Sequence, residues 1–163
     1  MSATNAACSF TKKTATVTRF RVGNLWGIEP HRFPLLSPSP PSFAVAGVPR
    51  RFRWEKAARG TDGRYFTWGN QWQDSATNWA GSGINGTSAI ATFPLSRSLY
   101  GVEDMAGNVF EYTSTLRHLG TQTLAVMKGC SWDDSPGFCR AAYQHTRPVA
   151  SRHILFGFRL VRE

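Results

Sequence analysis

The stretch that decides the fold closes the chain, where residues 152–161 read RHILFGFRLV. From Phe156 onward large apolar residues alternate with others, and this period of two predicts a terminal strand over 156–161. In that strand we expect Phe158 to lie in the core and Arg159 to form an internal ion pair.

Three further blocks precede this strand. Residues 54–60 read WEKAARG and predict the end of a helix, with Gly60 as its C-cap. Residues 107–112 read GNVFEY and predict a short core strand over 109–113, and residues 125–129 read AVMKG and predict a second. Gly, Ser, Thr and Asn dominate residues 71–92, which indicates a long loop region. Few helices, short strands and long loops are typical of an α+β domain.

Composition divides the 163-residue chain into two segments. The net charge is +9, and residues 1–52 carry seven Lys and Arg against the single acid Glu29. The same segment holds six of the nine prolines, which exclude a helix or a central strand around residues 33–41. We therefore expect a basic, Pro-rich segment at 1–52 and one folded domain at 53–163.

The four blocks, in their order along the chain, resemble the formylglycine-generating-enzyme (sulfatase-modifying factor) family. The resemblance implies a C-type-lectin-like fold of that type over residues 53–163. Before WEKAARG the family carries a run of the type RLPTEAE, whereas here residues 50–53 read RRFR. Residues 1–52 therefore show no resemblance to the family, and two interpretations stay open. The segment is either frame-shifted or disordered, or it is a divergent N-terminal arm.

The cysteines argue against the family's oxidase chemistry. The resemblance implies that its catalytic members bind copper through a close cysteine pair, which suits soft thiolates. Cys130 and Cys139 match neither catalytic position, and Asp134 falls near the place of the first cysteine. Three cysteines in all do not make the even set of a disulfide framework, so we interpret them as small apolar core residues. The expected protein is therefore not an enzyme, and a formylglycine-generating or related iron-dependent oxidase is the rival class.

The tail also resembles the variable proteins of diversity-generating retroelements, which carry mutable positions on the ligand face of this fold. Its frame is present as Ser131-Trp132, Arg140-Ala141-Ala142, Arg152 and Gly157-Phe158-Arg159. The resemblance implies a ligand-binding face that would bind an unidentified protein or surface ligand. We assign to this face Trp132, Asp133, Asp134, Ser135, Gly137, Phe138, Tyr143, His145, Thr146, Val149, Ser151, His153, Ile154 and Leu155.

The codon pattern agrees with diversification of this face. Randomising both adenines of an AAC codon cannot produce Trp, Met, Lys, Glu or Gln. Between residues 133 and 156 only Gln144 belongs to that excluded set. Two alternatives stay open: the segment is a constant loop of the family, or its apolar side chains complete the core of a short domain.

The same resemblance implies a structural calcium loop over residues 104–111. Its ligands map onto Asp104, Gly107, Val109 and Glu111, a mixture of carboxylate and carbonyl oxygens that suits Ca²⁺. Calcium is the one cofactor we expect.

The remaining features concern location and other partners. No apolar run reaches membrane-spanning length, and no signal peptide is recognisable, so a cytoplasmic location is the default expectation. The basic charge keeps a nucleic-acid-binding protein as a further alternative, but no nucleic-acid-binding motif accompanies it, so nucleic acid is not the expected partner.

Overall fold

The structure is a computed structural model that describes residues 47–161. It contains one α-helix, α1 (Arg51–Arg59), and four strands, β1 (Phe110–Leu119), β2 (Gln122–Lys128), β3 (His145–Pro148) and β4 (Phe156–Phe158). Four short 3₁₀ helices lie in the loops. Predictions for residues 1–46 lie outside the described residues. Residues 47–52 join the domain, because Gly47 bridges to Val161 and α1 begins at Arg51.

The helix α1 ends as its sequence predicts. Gly60 adopts φ +68° and donates its N–H to the carbonyl of Lys56, which closes the last turn. At the other end the hydroxyl of Thr115 in β1 accepts the N–H of Arg51. Trp54 and Ala58, four residues apart, share the buried face of the helix.

The four strands form one mixed sheet in the order β3-β2-β1-β4. β1 and β2 form an antiparallel hairpin through Gly120 at φ +57°, and β4 pairs parallel to β1. Each of the three predicted strands overlaps an observed strand, but the bounds differ. The hairpin extends β1 to Leu119 and starts β2 at Gln122, whereas ladder pairing of β4 ends at Phe158. β3 was not predicted.

The two faces of the sheet have different neighbours. On one face Glu111 pairs in register with Lys128, and both contact α1: Trp54 donates its indole N–H to Glu111 at 2.5 Å, and Lys128 bonds Glu55 at 3.2 Å. Tyr112, Met127 and His145 occupy linked register positions on the other face. The helix thus covers one face and leaves the other to the chain segments after β2.

The ends of β4 explain one wrong prediction. Arg159 pairs with the carboxylate of Glu111, as predicted. Gly157 lies against Val109, so close that a Cβ would stand 2.9 Å from a Val109 methyl group. Gly157 and Arg159 therefore face the side of the sheet that α1 covers. Because side chains alternate along a strand, Phe158 points to the opposite side. Phe158 was expected in the core, but 57% of its surface is exposed.

Candidate functional site

An open groove of about 410 Å³ lies on the side of the sheet away from α1. Its floor and walls come from β1, β3, the start of β4 and the loops after β2 and β3. The lining residues are Phe110, Asp134, His145, Arg147, Pro148, Ser151, Arg152, His153, Leu155 and Phe156. Concave sites of this size are where small molecules and protruding side chains bind.

The groove has an aromatic floor. The rings of Phe110 and His145 are stacked, with centroids 4.6 Å apart and planes 17° from parallel. Phe156 stands 6.2 Å from the His145 ring and 5.3 Å from the ring of His153. Since Phe110 is buried while His145 and Phe156 are half-buried, the ring surface open to a ligand is that of the latter two.

The loop between β3 and β4 is held in place by its own backbone. The hydroxyl of Tyr112 donates to the carbonyl of Ser151 at 2.6 Å, and the N–H of Phe110 donates to the carbonyl of Leu155 at 2.8 Å. The N–H of Val149 donates to Thr123 in β2 at 3.2 Å. Burial raises the pKa of Tyr112, which keeps its phenol protonated as a donor. The backbone of the loop is therefore fixed to β1 and β2 by hydrogen bonds.

Of the charged side chains at the groove, the acid has hydrogen-bond partners and the two arginines have no acidic partner in the part of the chain that the structure describes. Asp134 accepts the backbone N–H of Ser131 at 2.8 Å and also the Ser131 hydroxyl. Within residues 47–161 neither Arg147 nor Arg152 forms an ion pair, and both are exposed. Burial lowers the pKa of His145 and the charge of Arg147 lowers it further, while Asp134 opposes the shift. His145 is therefore neutral at pH 7, and the groove carries net positive charge.

Five of the residues assigned to the ligand face line this groove, namely Asp134, His145, Ser151, His153 and Leu155. The others lie elsewhere. Phe138 packs edge-on against Tyr143 with centroids 5.1 Å apart. Thr146 pairs with Val126 and alternates to the opposite face from His145. Val149 and Ile154 are exposed outside the groove lining, as are Asp133, Ser135 and Gly137, and Trp132 is half-buried.

Five lining residues were not predicted: Phe110, Arg147, Pro148, Arg152 and Phe156. Three of them, Phe110, Arg152 and Phe156, lie within blocks that were interpreted as framework. The alternation of His145 and Arg147 about Thr146 was a signal for β3, but the adjacent Pro148 opposed it. Pro148 fits because it ends this edge strand.

The two cysteines correct another expectation. Cys130 and Cys139 form a disulfide with Cα atoms 4.7 Å apart, rather than two separate apolar residues. Gly129, at φ +75°, turns the chain after β2, and a 3₁₀ helix over Pro136–Cys139 returns it to the same place. Both cysteines are at most 1% exposed and lie beside Phe66 and Ala106. A substrate or metal ion at the surface therefore does not meet either sulfur.

The predicted calcium ligands have other partners. The carboxylate of Glu111 accepts bonds from Arg159 and Trp54, and that of Asp104 accepts the N–H of Ala91 and the hydroxyl of Ser96. The guanidinium of Arg159 already places a positive charge beside Glu111. With Arg159 bound to Glu111, the four predicted ligands do not fit a calcium ion in this arrangement. Calcium binding remains a prediction of the resemblance.

A family model for the sulfatase-modifying factor enzyme 1-like domain matches residues 9–163. The match includes most of the segment 1–52 in which no resemblance was recognised. An inactive C-alpha-formylglycine-generating enzyme 2 from Bos taurus is 35% identical over 99 residues, covering 54% of this chain and 33% of the relative. Hercynine oxygenase from Mycolicibacterium smegmatis is 28% identical over 143 residues, covering 73% of this chain and 33% of the relative.

Among solved structures, Treponema denticola variable protein 1 superposes with a TM-score of 0.65 at 22% identity, covering 72% of this chain and 47% of that one. This likeness and the family match confirm the α+β, C-type-lectin-like fold. The chain spans about a third of the length of the curated relatives it matches. Within residues 47–161, none of the helices is both long and apolar enough to cross a bilayer.

Proposed function

Because the chain belongs to the sulfatase-modifying factor enzyme 1-like domain family, we propose that it is a non-catalytic ligand-binding member of it. The ligand is a protein or a surface group, and it enters the groove between β3 and the loop that leads to β4. One observation carries the proposal. Five residues assigned to the ligand face from the codon and frame pattern line a single groove of about 410 Å³.

The architecture of the groove supports binding. Its backbone is tied to β1 and β2 by hydrogen bonds, so little ordering entropy is lost when a ligand binds. Aromatic rings with short polar neighbours on a rigid scaffold are typical of binding surfaces that recognise proteins. Phe138, Val149 and Ile154, each at least 40% exposed, extend the apolar surface beyond the groove itself.

The buried disulfide supports the absence of family oxidase chemistry. The copper chemistry inferred for the family needs accessible thiolates, whereas Cys130 and Cys139 are paired and inside the core. The similarity to relatives named inactive points the same way. The similarity to a hercynine oxygenase keeps the enzyme class as the rival. Copper-dependent conversion of a cysteine-containing sulfatase peptide to formylglycine would contradict the proposal.

The diversification of residues 133–156 is part of the proposal. The likeness in fold to Treponema denticola variable protein 1 supports it, together with the codon pattern. Long-read sequencing of the coding locus in a growing population tests it. We expect variation at adenine-templated codons beside a near-identical template repeat, and a constant tail without a template would limit the proposal to a fixed ligand.

Selection from a random peptide display library on the immobilised full chain tests binding directly. Ser151→Trp fills the groove and His153→Ala removes one wall, and both should abolish capture of the enriched peptides. Thr61→Trp is the matched control, because it adds the same ring at an exposed position outside the groove. No enrichment on the wild-type chain, or enrichment that survives both groove variants, contradicts the proposal.

A further inference from the structure

We propose that the groove recognises an acidic peptide segment. A carboxylate of the segment binds between Arg147 and Arg152, and a neighbouring aromatic side chain packs on the floor formed by His145 and Phe156. This inference rests on the proposed function, since it names the class of ligand that the same groove takes.

The two arginines are the first support. Elsewhere in residues 47–161 three arginines of the loops and helix have acidic partners, since Arg59 bonds Glu55, Arg64 bonds Asp62 and Arg97 bonds Glu103. Arg51 and Arg140 instead lie over the rings of Phe52 and Tyr65. Arg147 and Arg152 line the groove without such a partner in the same part of the chain. A guanidinium offers a planar fork of donors that matches a carboxylate, so this pair fits a carboxylate from outside.

The single acid of the groove does not supply that carboxylate. Asp134 is bound to the backbone N–H and the hydroxyl of Ser131, which lies next to the disulfide-bonded Cys130. Asp134 therefore forms no ion pair with Arg147 or Arg152, and the two guanidinium groups outnumber the one carboxylate of the groove. The groove therefore attracts anions, and the chain's net charge of +9 reinforces the attraction at a distance.

The aromatic floor of the groove favours a ligand that also carries an aromatic side chain. The exposed edge of the Phe110–His145 stack and the ring of Phe156 form an apolar surface in the same groove that Arg147 and Arg152 line. An aromatic ring beside the ligand's carboxylate gains a ring contact there of the type seen in offset or edge-on pairs. A bare inorganic anion would leave this surface uncovered, so a peptide that carries both groups fits better.

A single-stranded nucleic acid also combines negative charge with flat rings, but it needs a basic track that follows several phosphates. Here the basic side chains that line the groove are two arginines and two histidines, and His145 lies on the floor. An acidic peptide places one or two charges in a compact site, which is what this groove offers.

The test uses the full chain and the peptides enriched by the display selection, compared by calorimetric titration. We expect the enriched peptides to carry Asp or Glu beside an aromatic residue. We expect Arg147→Gln/Arg152→Gln to weaken their binding about tenfold or more, because charge-assisted hydrogen bonds are lost. The control Arg50→Gln/Lys56→Gln removes the same charge from exposed positions outside the groove and should change the affinity less than about twofold.

The outcomes separate this inference from the proposed function. Neutral or basic peptides that still need the groove overturn the acidic ligand and leave the binding site standing. Binding that is insensitive to Arg147→Gln/Arg152→Gln likewise overturns the acidic ligand and leaves the binding site standing. An oligothymidylate that binds the groove more tightly than the peptides overturns the inference in favour of nucleic acid. Absence of any enriched peptide overturns both.

Discussion

His145 on β3 lies with its ring against that of Phe110 on β1, with ring centroids 4.6 Å apart and planes 17° from parallel, although β2 separates the two strands. Met127 on β2 pairs in register with His145 on β3 and with Tyr112 on β1, and it is fully buried. The stack thus spans the sheet and forms the bottom of the groove. A histidine at this point links the stability of the floor to pH.

Replacing His145 by Ala should destabilise the chain by about 2 kcal/mol, since it removes a ring contact and buried side-chain area. His145→Phe keeps a ring on Phe110 and should cost less than about 1 kcal/mol. Urea unfolding measures both. Equal losses for the two variants would mean that the stacking contributes little.

The pH dependence follows from the lowered pKa of His145, whose cause is burial first and Arg147 second. The unfolded chain binds a proton as pH falls through the ordinary value of 6.5, whereas folded His145 binds it only at lower pH. Its contribution to stability is therefore complete above that value and is lost as pH falls toward the folded pKa. The stability of the wild type relative to His145→Phe should decline between pH of about 7.5 and about 5.5. A constant difference would show that the site does not shift the pKa.

The pair of Glu111 and Arg159 links β1 to the end of the chain. Replacing Arg159 by Met leaves the carboxylate, whose side chain is 9% exposed, without its cation and should destabilise by about 3 kcal/mol or more. Arg97→Met breaks the more exposed pair with Glu103 and should cost less than about 1 kcal/mol. Similar losses from the two variants, measured by urea unfolding, would refute the distinction.

The disulfide closes a short loop around residues 131–138. Cys130→Ala/Cys139→Ala should lower the free energy of unfolding by about 2 to 3 kcal/mol, mainly because the unfolded chain regains freedom. Non-reducing mass spectrometry of proteolytic fragments checks the bond, and urea unfolding with and without a reductant checks its contribution. Insensitivity of the wild type to the reductant would contradict the pairing.

Calcium provides a further test of the loop over residues 104–111. With Arg159 bound to Glu111, we expect millimolar calcium to leave the Tm of the wild type within about 1 °C of its value with a chelator. In Arg159→Met the carboxylate is free of its internal cation, so calcium should raise the Tm. A clear rise in the wild type would instead support the calcium ligands that the resemblance implies.

Local patterns explain why some elements were predictable. The C-cap at Gly60 and the presence of β1 and β2 follow from residues that are neighbours in sequence. The internal partner of Arg159 was expected as well, because a long charged side chain in a core strand needs one. The cap and the strands depend on short-range sequence patterns, and the need of Arg159 for a partner depends only on its residue type and its strand.

Other features depend on how distant segments meet. The disulfide arises because the turn at Gly129 and the 3₁₀ helix bring Cys139 back to Cys130, which spacing alone does not reveal. Phe158 points outward because its neighbour Gly157 is the residue of β4 that packs against Val109. For the candidate site, the codon pattern pointed to residues 133–156, which supply all of the groove lining except Phe110, whereas Arg147 became recognisable only once β3 was placed beside β2.

Hydrogen–deuterium exchange of the full chain, with and without a display-selected peptide, tests the central claim most directly. The account predicts that protection concentrates in residues 143–156, with little change in α1. A second concavity on α1, lined by Arg51, Phe52, Glu55, Lys56, Arg59 and Gly60, provides the internal comparison. Protection centred on that helix, with residues 143–156 unchanged, would contradict the assignment of the groove as the ligand-binding site.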